Sequence, residues 1–198
     1  MAISTFAELK TAIAAWTHRA DLTSYLADFV TAAEARMFSD LKVKEMEART
    51  DYTPTDRYLN TPDRMTAIRR IVAKSSPEVE LVATSPDGIR TVYDDGSGTP
   101  THYTVLGSEI EFNRTPNVDV TILHYAAPAA LSDSNTTNAI LTAYPHLYLA
   151  ACMVEAAMYM KNDQMAATWH GKYADAVSAA NRKTSRFHAG GPMAVTSA

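Results

Sequence analysis

The sequence predicts an α+β protein, mainly an α-helical bundle with a small antiparallel β-subdomain inserted into it. Three observations predict it. Apolar residues recur at helical spacing at both ends of the chain. The middle is punctuated by prolines and carries short β-like runs, and one pair of runs is a hairpin closed by Gly107-Ser108.

The N-terminal part reads as a helical hairpin. Thr5 and Glu8 have capping-box spacing, in which each side chain satisfies a free backbone N–H at a helix start. Phe6, Leu9, Ile13 and Trp16 then make one apolar stripe. Asp21 is placed to cap a second helix, with Leu22, Leu26, Phe29, Ala33, Met37 and Leu41 on one face and Asp28, Ala35, Ser39 and Lys42 elsewhere. Neither stripe is stable in water, so a further helix must cover them.

From Arg49 to Pro128 the period changes. Pro54, Pro62, Pro77, Pro86, Pro100 and Pro116 exclude long helices. The expected strands are Ile68 to Ala73, Val79 to Val82 and Val118 to Tyr125, with the hairpin built from Tyr103 and Val105 against Ile110 and Phe112. Ser85-Pro86 reads as a cap followed by a first helical residue, predicting a short helix over Asp87 to Tyr93.

Helix returns after the polar loop Ser132 to Asn138. Pro145 suits a first helical turn, and Leu147 to Met160 is apolar almost all round, the mark of a helix buried in the bundle or against another subunit. Leu147, Leu149, Met153, Glu155 and Met160 are therefore the candidate subunit or bundle interface. A last helix over about Asp163 to Arg186 carries Trp169, Tyr173 and Val177 at i, i+4, i+8. The expected division is 1–48 as the N-terminal helical hairpin, 49–131 as the inserted β-rich subdomain, 132–187 as the helices completing the bundle, and 188–198 as a flexible tail.

Composition bounds the function. The 198 residues are 46% hydrophobic and 20% charged, with a net charge of −4, which disfavours a generic nucleic-acid binder. The single Cys152 excludes an internal disulfide and a Cys-rich metal site. The start lacks the basic residues of a signal peptide, and the longest apolar stretch is short for a membrane span and broken by Glu155. A soluble, cytoplasmic protein with no membrane contact is expected.

No constellation asks for an enzyme, and no catalytic, cofactor or metal residue is assigned. The six histidines never pair at ligand spacing; His102 and His124 fall on different strands and read as edge or surface histidines. Cys152 lies in the apolar helix, where a thiol is core. Asp94-Asp95-Gly-Ser-Gly lacks both the alternating acids of a calcium loop and the Gly-Lys-Ser/Thr of a phosphate cradle, so it reads as a solvated turn. Glu155 reads as an acid with a structural partner. One local charge bias stands out: Arg182, Lys183 and Arg186 with Phe187, after which no acid follows Asp175. It serves the helix C-terminus, an acidic partner surface or a phosphate backbone.

Several segments, in order along nearly the whole chain, resemble the head-to-tail adaptor (connector) proteins of short-tailed, podovirus-like bacteriophages. They are Ala-Ile-Ser-Thr-Phe-Ala-Glu-Leu at the start, Ala32 to Met37, Leu41 to Glu47, Tyr103 to Phe112, Tyr125 to Leu131, Tyr144 to Leu149, and Glu155 to Asp163 followed by Trp169 and Tyr173. Thr61-Pro62-Asp63 departs from the Leu-Pro usual in that family.

The resemblance implies a structural virion protein at the head–tail junction, assembled in the host cytoplasm. It implies a homo-oligomeric ring, usually a dodecamer, seated under the portal protein. The ring extends the DNA channel and offers a platform to the nozzle or tail-tube proteins, and genomic DNA passes without sequence-specific binding. The bundle would form the ring wall, the β-subdomain would face the tail, and the C-terminal segment, with Arg182, Lys183, Arg186 and Phe187, would dock on the portal. Two other readings stand beside it: a connector or tail-completion protein of a long-tailed phage, and a DNA-binding protein using the basic C-terminal helix. An enzyme site assembled between subunits, around Glu155 or His124, is a further alternative.

Overall fold

A computed structural model describes residues 3–188. Two helices open the chain, α1 (Phe6–Thr17) and α2 (Leu26–Asp40). The middle holds β1 (Glu47–Tyr52), β2 (Tyr58–Asn60), β3 (Met65–Ala73), β4 (Val79–Glu80), β5 (Val82–Ala83), the short helix α3 (Gly88–Thr91), β6 (Ser97–Gly98), β7 (His102–Leu106), β8 (Glu109–Phe112), β9 (Thr115–Pro116) and β10 (Val120–Ala126). Then come α4 (Ala139–Ala143), α5 (Pro145–Tyr159) and α6 (Asp163–His188). The chain divides into a helical unit, 1–46 with 128–198, and a β-rich unit, 47–127.

In the helical unit α1 starts at the expected capping box. The Thr5 side chain accepts from Glu8 N–H at 3.3 Å and the Glu8 carboxylate accepts from Thr5 N–H at 3.1 Å. It ends at His18, whose left-handed φ of 51° turns the chain. Phe6, Leu9 and Ile13 are buried, but Trp16 is 55% exposed and meets Trp169 edge-on at 5.4 Å. The second helix differs from expectation. Residues 20–25 wind as a 3₁₀ turn, and Asp21 caps nothing because Arg19 holds its carboxylate at 2.6 Å. Leu26, Phe29, Ala33 and Met37 still line one buried face of α2, with Leu41 buried at its C-cap.

Pro145 occupies the first turn of α5, where its missing N–H costs nothing. Ten of its fifteen residues are buried. Each fully buried aliphatic side chain there stabilises the unit by about 1.5–3 kcal/mol. The last helix reaches His188, two residues past the expected end. Of the expected tail 188–198, only His188 lies within the described residues.

The β-rich unit packs two four-stranded sheets, β1-β10-β3-β4 and β2-β8-β7-β5, around Ile71, Leu81, Tyr103, Ile110, Phe112 and Ile122. Pairing is antiparallel except for two short parallel contacts, β5 on β7 and β6 on β9. The expected hairpin is β7–β8, with Leu106 opposite Glu109 and Gly107 at φ 61°. Its alternation departs from expectation at Val105, which is 40% exposed while Thr104 is buried. The expected strand Val79 to Val82 is split. Leu81 N–H bonds Ile71 C=O, and the chain passes there from one sheet to the other. The short helix expected over Asp87 to Tyr93 is only Gly88–Thr91, and Ser85 Oγ accepts from Gly88 N–H.

Candidate assembly surfaces

The long helix α6 is held along one face. Trp169, Tyr173, Ala180 and Thr184 are buried on it. Tyr173 OH donates to Asp40 at 2.7 Å, and burial with that carboxylate pushes the phenol up. Further along, Asn181 Oδ1 accepts from Lys42 N–H at 2.9 Å, its Nδ2 donates to Asp40 C=O at 3.1 Å, and Thr184 Oγ1 accepts from Lys44 N–H at 3.2 Å. The bond to Asp40 C=O satisfies a carbonyl freed where α2 ends, and the other two satisfy N–H groups of the segment that follows.

Of the α6 residues singled out in the sequence, Arg182, Lys183 and Arg186 lie off the held face, while Phe187 continues it, following Thr184 by three and Ala180 by seven. Arg182, Lys183, Arg186 and Phe187 are all exposed, Phe187 by 67%. Arg182 meets Ser178 Oγ, Lys183 Nζ lies 5.6 Å from the Tyr144 ring centre, and Lys44 Nζ lies 4.9 Å from that of Phe187. Among the described residues, Arg182, Lys183 and Arg186 make no ion pair. Two adjoining hollows sit here, about 290 Å³ over Pro145, Leu147, Ala176 and Ala180 and about 360 Å³ against Arg182 and Arg186. Ala179 and Lys183 line both.

The α5 candidates have a different fate. Leu147, Leu149 and Met153 are buried inside the helical unit, so its own helices cover them. Glu155 pairs with Arg36 at 2.7 Å, a partner 119 residues away. Met160 is half-buried at the C-cap of α5. Cys152 is buried on the same helix, and burial, with the nearby charges of Glu34 and Glu155, pushes its thiol up.

The remaining chemical candidates are not brought together. His102 lies on β7 and His124 on β10, strands of different sheets. His124 is not an edge or surface residue: it sits between β1 and β3 and is buried. Asp94 is committed elsewhere, accepting from Gly96 N–H in its own turn at 2.8 Å and pairing with the distant Arg114 at 2.9 Å. No group of three metal-ligating side chains occurs among the described residues. A hollow of the β-rich unit, about 410 Å³ beside Met65, Ile68, Ala83, Pro86 and Tyr103, is lined mainly by apolar atoms and offers no nucleophile with a base. No helix among the described residues is long and apolar enough to cross a membrane.

Sequence reasoning missed one residue that organises the helical unit, Glu34. It is buried on α2, and its Oε1 accepts from Tyr148 OH at 2.7 Å and Leu131 N–H at 2.9 Å. Asn138 Nδ2 donates to Tyr148 OH at 2.7 Å and to Ala129 C=O at 3.2 Å, while its Oδ1 caps α4. Burial raises the Glu34 carboxyl despite these donors. Its signal was present: Glu34 follows Val30 by four and precedes Met37 by three, an acid on the apolar stripe.

Taken together, the described residues hold packed cores and an exposed group of α6 cations without ion-pair partners, and the Nε atoms of Arg57 and Arg114 are buried without a hydrogen-bond partner. No curated protein matches the chain. The family model described as SU10 adaptor protein matches residues 4–196, nearly the whole chain. The chain belongs to the SU10 adaptor protein family, and so to the structural adaptor proteins of bacteriophages.

Proposed function

We propose that this chain is the head-to-tail adaptor of a short-tailed bacteriophage. Copies form a ring, a dodecamer, that docks under the portal protein, extends the DNA channel and presents a platform to nozzle or tail-tube proteins. The observation that carries the reading is membership of an adaptor family over residues 4–196. The helical unit forms the ring wall, the β-rich unit faces the tail, and the end of α6 with Arg182, Lys183, Arg186 and Phe187 docks on the portal.

Subunit contacts then fall outside the α5 core. Tyr25 (41% exposed) and Tyr159 (49%) lie with ring centres 4.9 Å apart, and the adjacent Met158 is 56% exposed. An apolar cluster of that kind supports a protein–protein contact. A net charge of −4 suits a channel wall that does not grip DNA. The runner-up within the class is a connector of a long-tailed phage; the inserted β-rich unit favours the short-tailed kind.

The test is the light-scattering mass of the protein, alone and mixed with its cognate portal ring. A complex with many copies per portal, lost when residues after Asn181 are deleted, is expected. Absence of association between folded protein and intact portal overturns the reading.

A further inference from the structure

The exposed face of α6 is more specific than a positive patch. Its two hollows adjoin, with Ala179 and Lys183 lining both. One end has an apolar floor formed by Pro145, Leu147, Ala176 and Ala180, and the other is walled by Arg182 and Arg186. Helix-end electrostatics do not account for the cations. The helix runs to His188, so Arg186 lies in the last turn but Arg182 and Lys183 lie before it. None of the three has a carboxylate partner among the described residues. Glu45 is held by Tyr144 OH at 3.1 Å, and burial, with that acid, pushes the phenol up to about 12.

We propose that this groove receives an acidic amphipathic helix of a partner protein, its apolar ridge over Ala176 and Ala179 and its carboxylates on Arg182, Lys183 and Arg186. The proposal rests on the reading that the end of α6 is a docking segment and adds the chemistry of what docks. A helix fits better than a strand because the groove is walled by helices, whose backbone groups are already bonded, and offers no open sheet edge. Alanines at 176 and 179 let a second helix approach closely, and an apolar ridge fills such a groove. A nucleic-acid backbone would use the cations but leave the apolar floor empty, so the floor favours protein over DNA.

The experiment uses the full chain and three fluorescent probes: a Glu-flanked Leu/Ala amphipathic helical peptide, its Lys-flanked counterpart, and a short DNA duplex. Two variants separate floor from charge. A176L/A179L fills the hollow and keeps the cations, while R182A/R186A removes charge and leaves every residue lining the apolar hollow in place. Circular dichroism confirms that both fold.

The acidic peptide is expected to bind, the Lys-flanked one not, and each variant to weaken binding about tenfold or more. Peptide binding insensitive to A176L/A179L, or duplex binding that exceeds peptide binding and responds only to the charge variant, overturns the proposal. Portal association is measured in parallel. Portal binding that survives A176L/A179L and is not displaced by the acidic peptide refutes the groove while leaving the docking reading intact. Loss of portal association in every variant and in the wild type refutes the docking reading, and the peptide arm still decides the groove.

Discussion

Glu34 offers a demanding prediction because its two simplest substitutions should act in opposite directions. Glu34→Ala removes the acceptor shared by Tyr148 OH and Leu131 N–H. Each orphaned buried donor costs about 1–3 kcal/mol, and relief from burying a carboxylate offsets part of the total. The expected loss is about 3 kcal/mol, a fall in Tm of about 6–12 °C for a chain of this size. Glu34→Gln keeps a carbonyl oxygen in the same place and removes the ionisable group, so at pH 7 it should be neutral or stabilising within about 1 kcal/mol.

The pH dependence fixes the sign. Burial raises the Glu34 carboxyl above its ordinary 4.5, so its protonated form is favoured in the folded state. That contribution is complete below the unfolded value and is lost as pH rises through the folded one. The wild type should therefore lose ground to Glu34→Gln as pH climbs from about 4.5 toward neutrality. Urea denaturation of both proteins across that range reads the difference directly. A Glu34→Gln protein as unstable as Glu34→Ala at pH 7, or a wild-type difference flat with pH, would refute the reasoning.

Three other outcomes follow from the same geometry. Arg36→Ala should cost about 1–2 kcal/mol by leaving Glu155, 15% exposed, without its partner, and adding Glu155→Gln should recover part of it in a double-mutant cycle. Asp51 is held down to about 2, chiefly by bonds from Thr121 and Lys74. Its stabilising effect should be present above the unfolded value of 3.8 and vanish as pH falls through about 2, so Asp51→Asn should differ from wild type at neutral pH but not in strong acid. Cys152 should resist a thiol reagent in the native protein and react at the rate of unfolding, as stopped-flow labelling in denaturant would show.

The features legible in the sequence are those decided locally. Thr5 with Glu8, Pro145 and Gly107 each satisfy a demand of the backbone within a few residues, and all three sit where their chemistry placed them. The all-round apolar character of α5 likewise announced its burial. What escaped depends on distant partners. Strand β1 reads Glu-Ala-Arg-Thr-Asp-Tyr, with no apolar alternation strong enough to mark it, and exists because β10 pairs with it. Asp21 has the chemistry of a cap, but Arg19 competes for it. The run Val79 to Val82 could not reveal that Leu81 is where the chain changes sheets. Of the candidate surface, the cations of α6 were visible as residues. Their groove was not, because its floor comes from Pro145 and Leu147, about one helix earlier in the chain. Glu34 stood out as an acid on an apolar stripe, but its partners did not, because its donors lie 97 and 114 residues away.

The central claim is that this protein forms the ring joining head to tail. Electron cryomicroscopy of the purified virion neck tests it most directly. The account predicts a closed ring of this fold between the portal and the tail, with the end of α6 against the portal. Density at that junction built from a different fold, or a virion that lacks this chain, would contradict it.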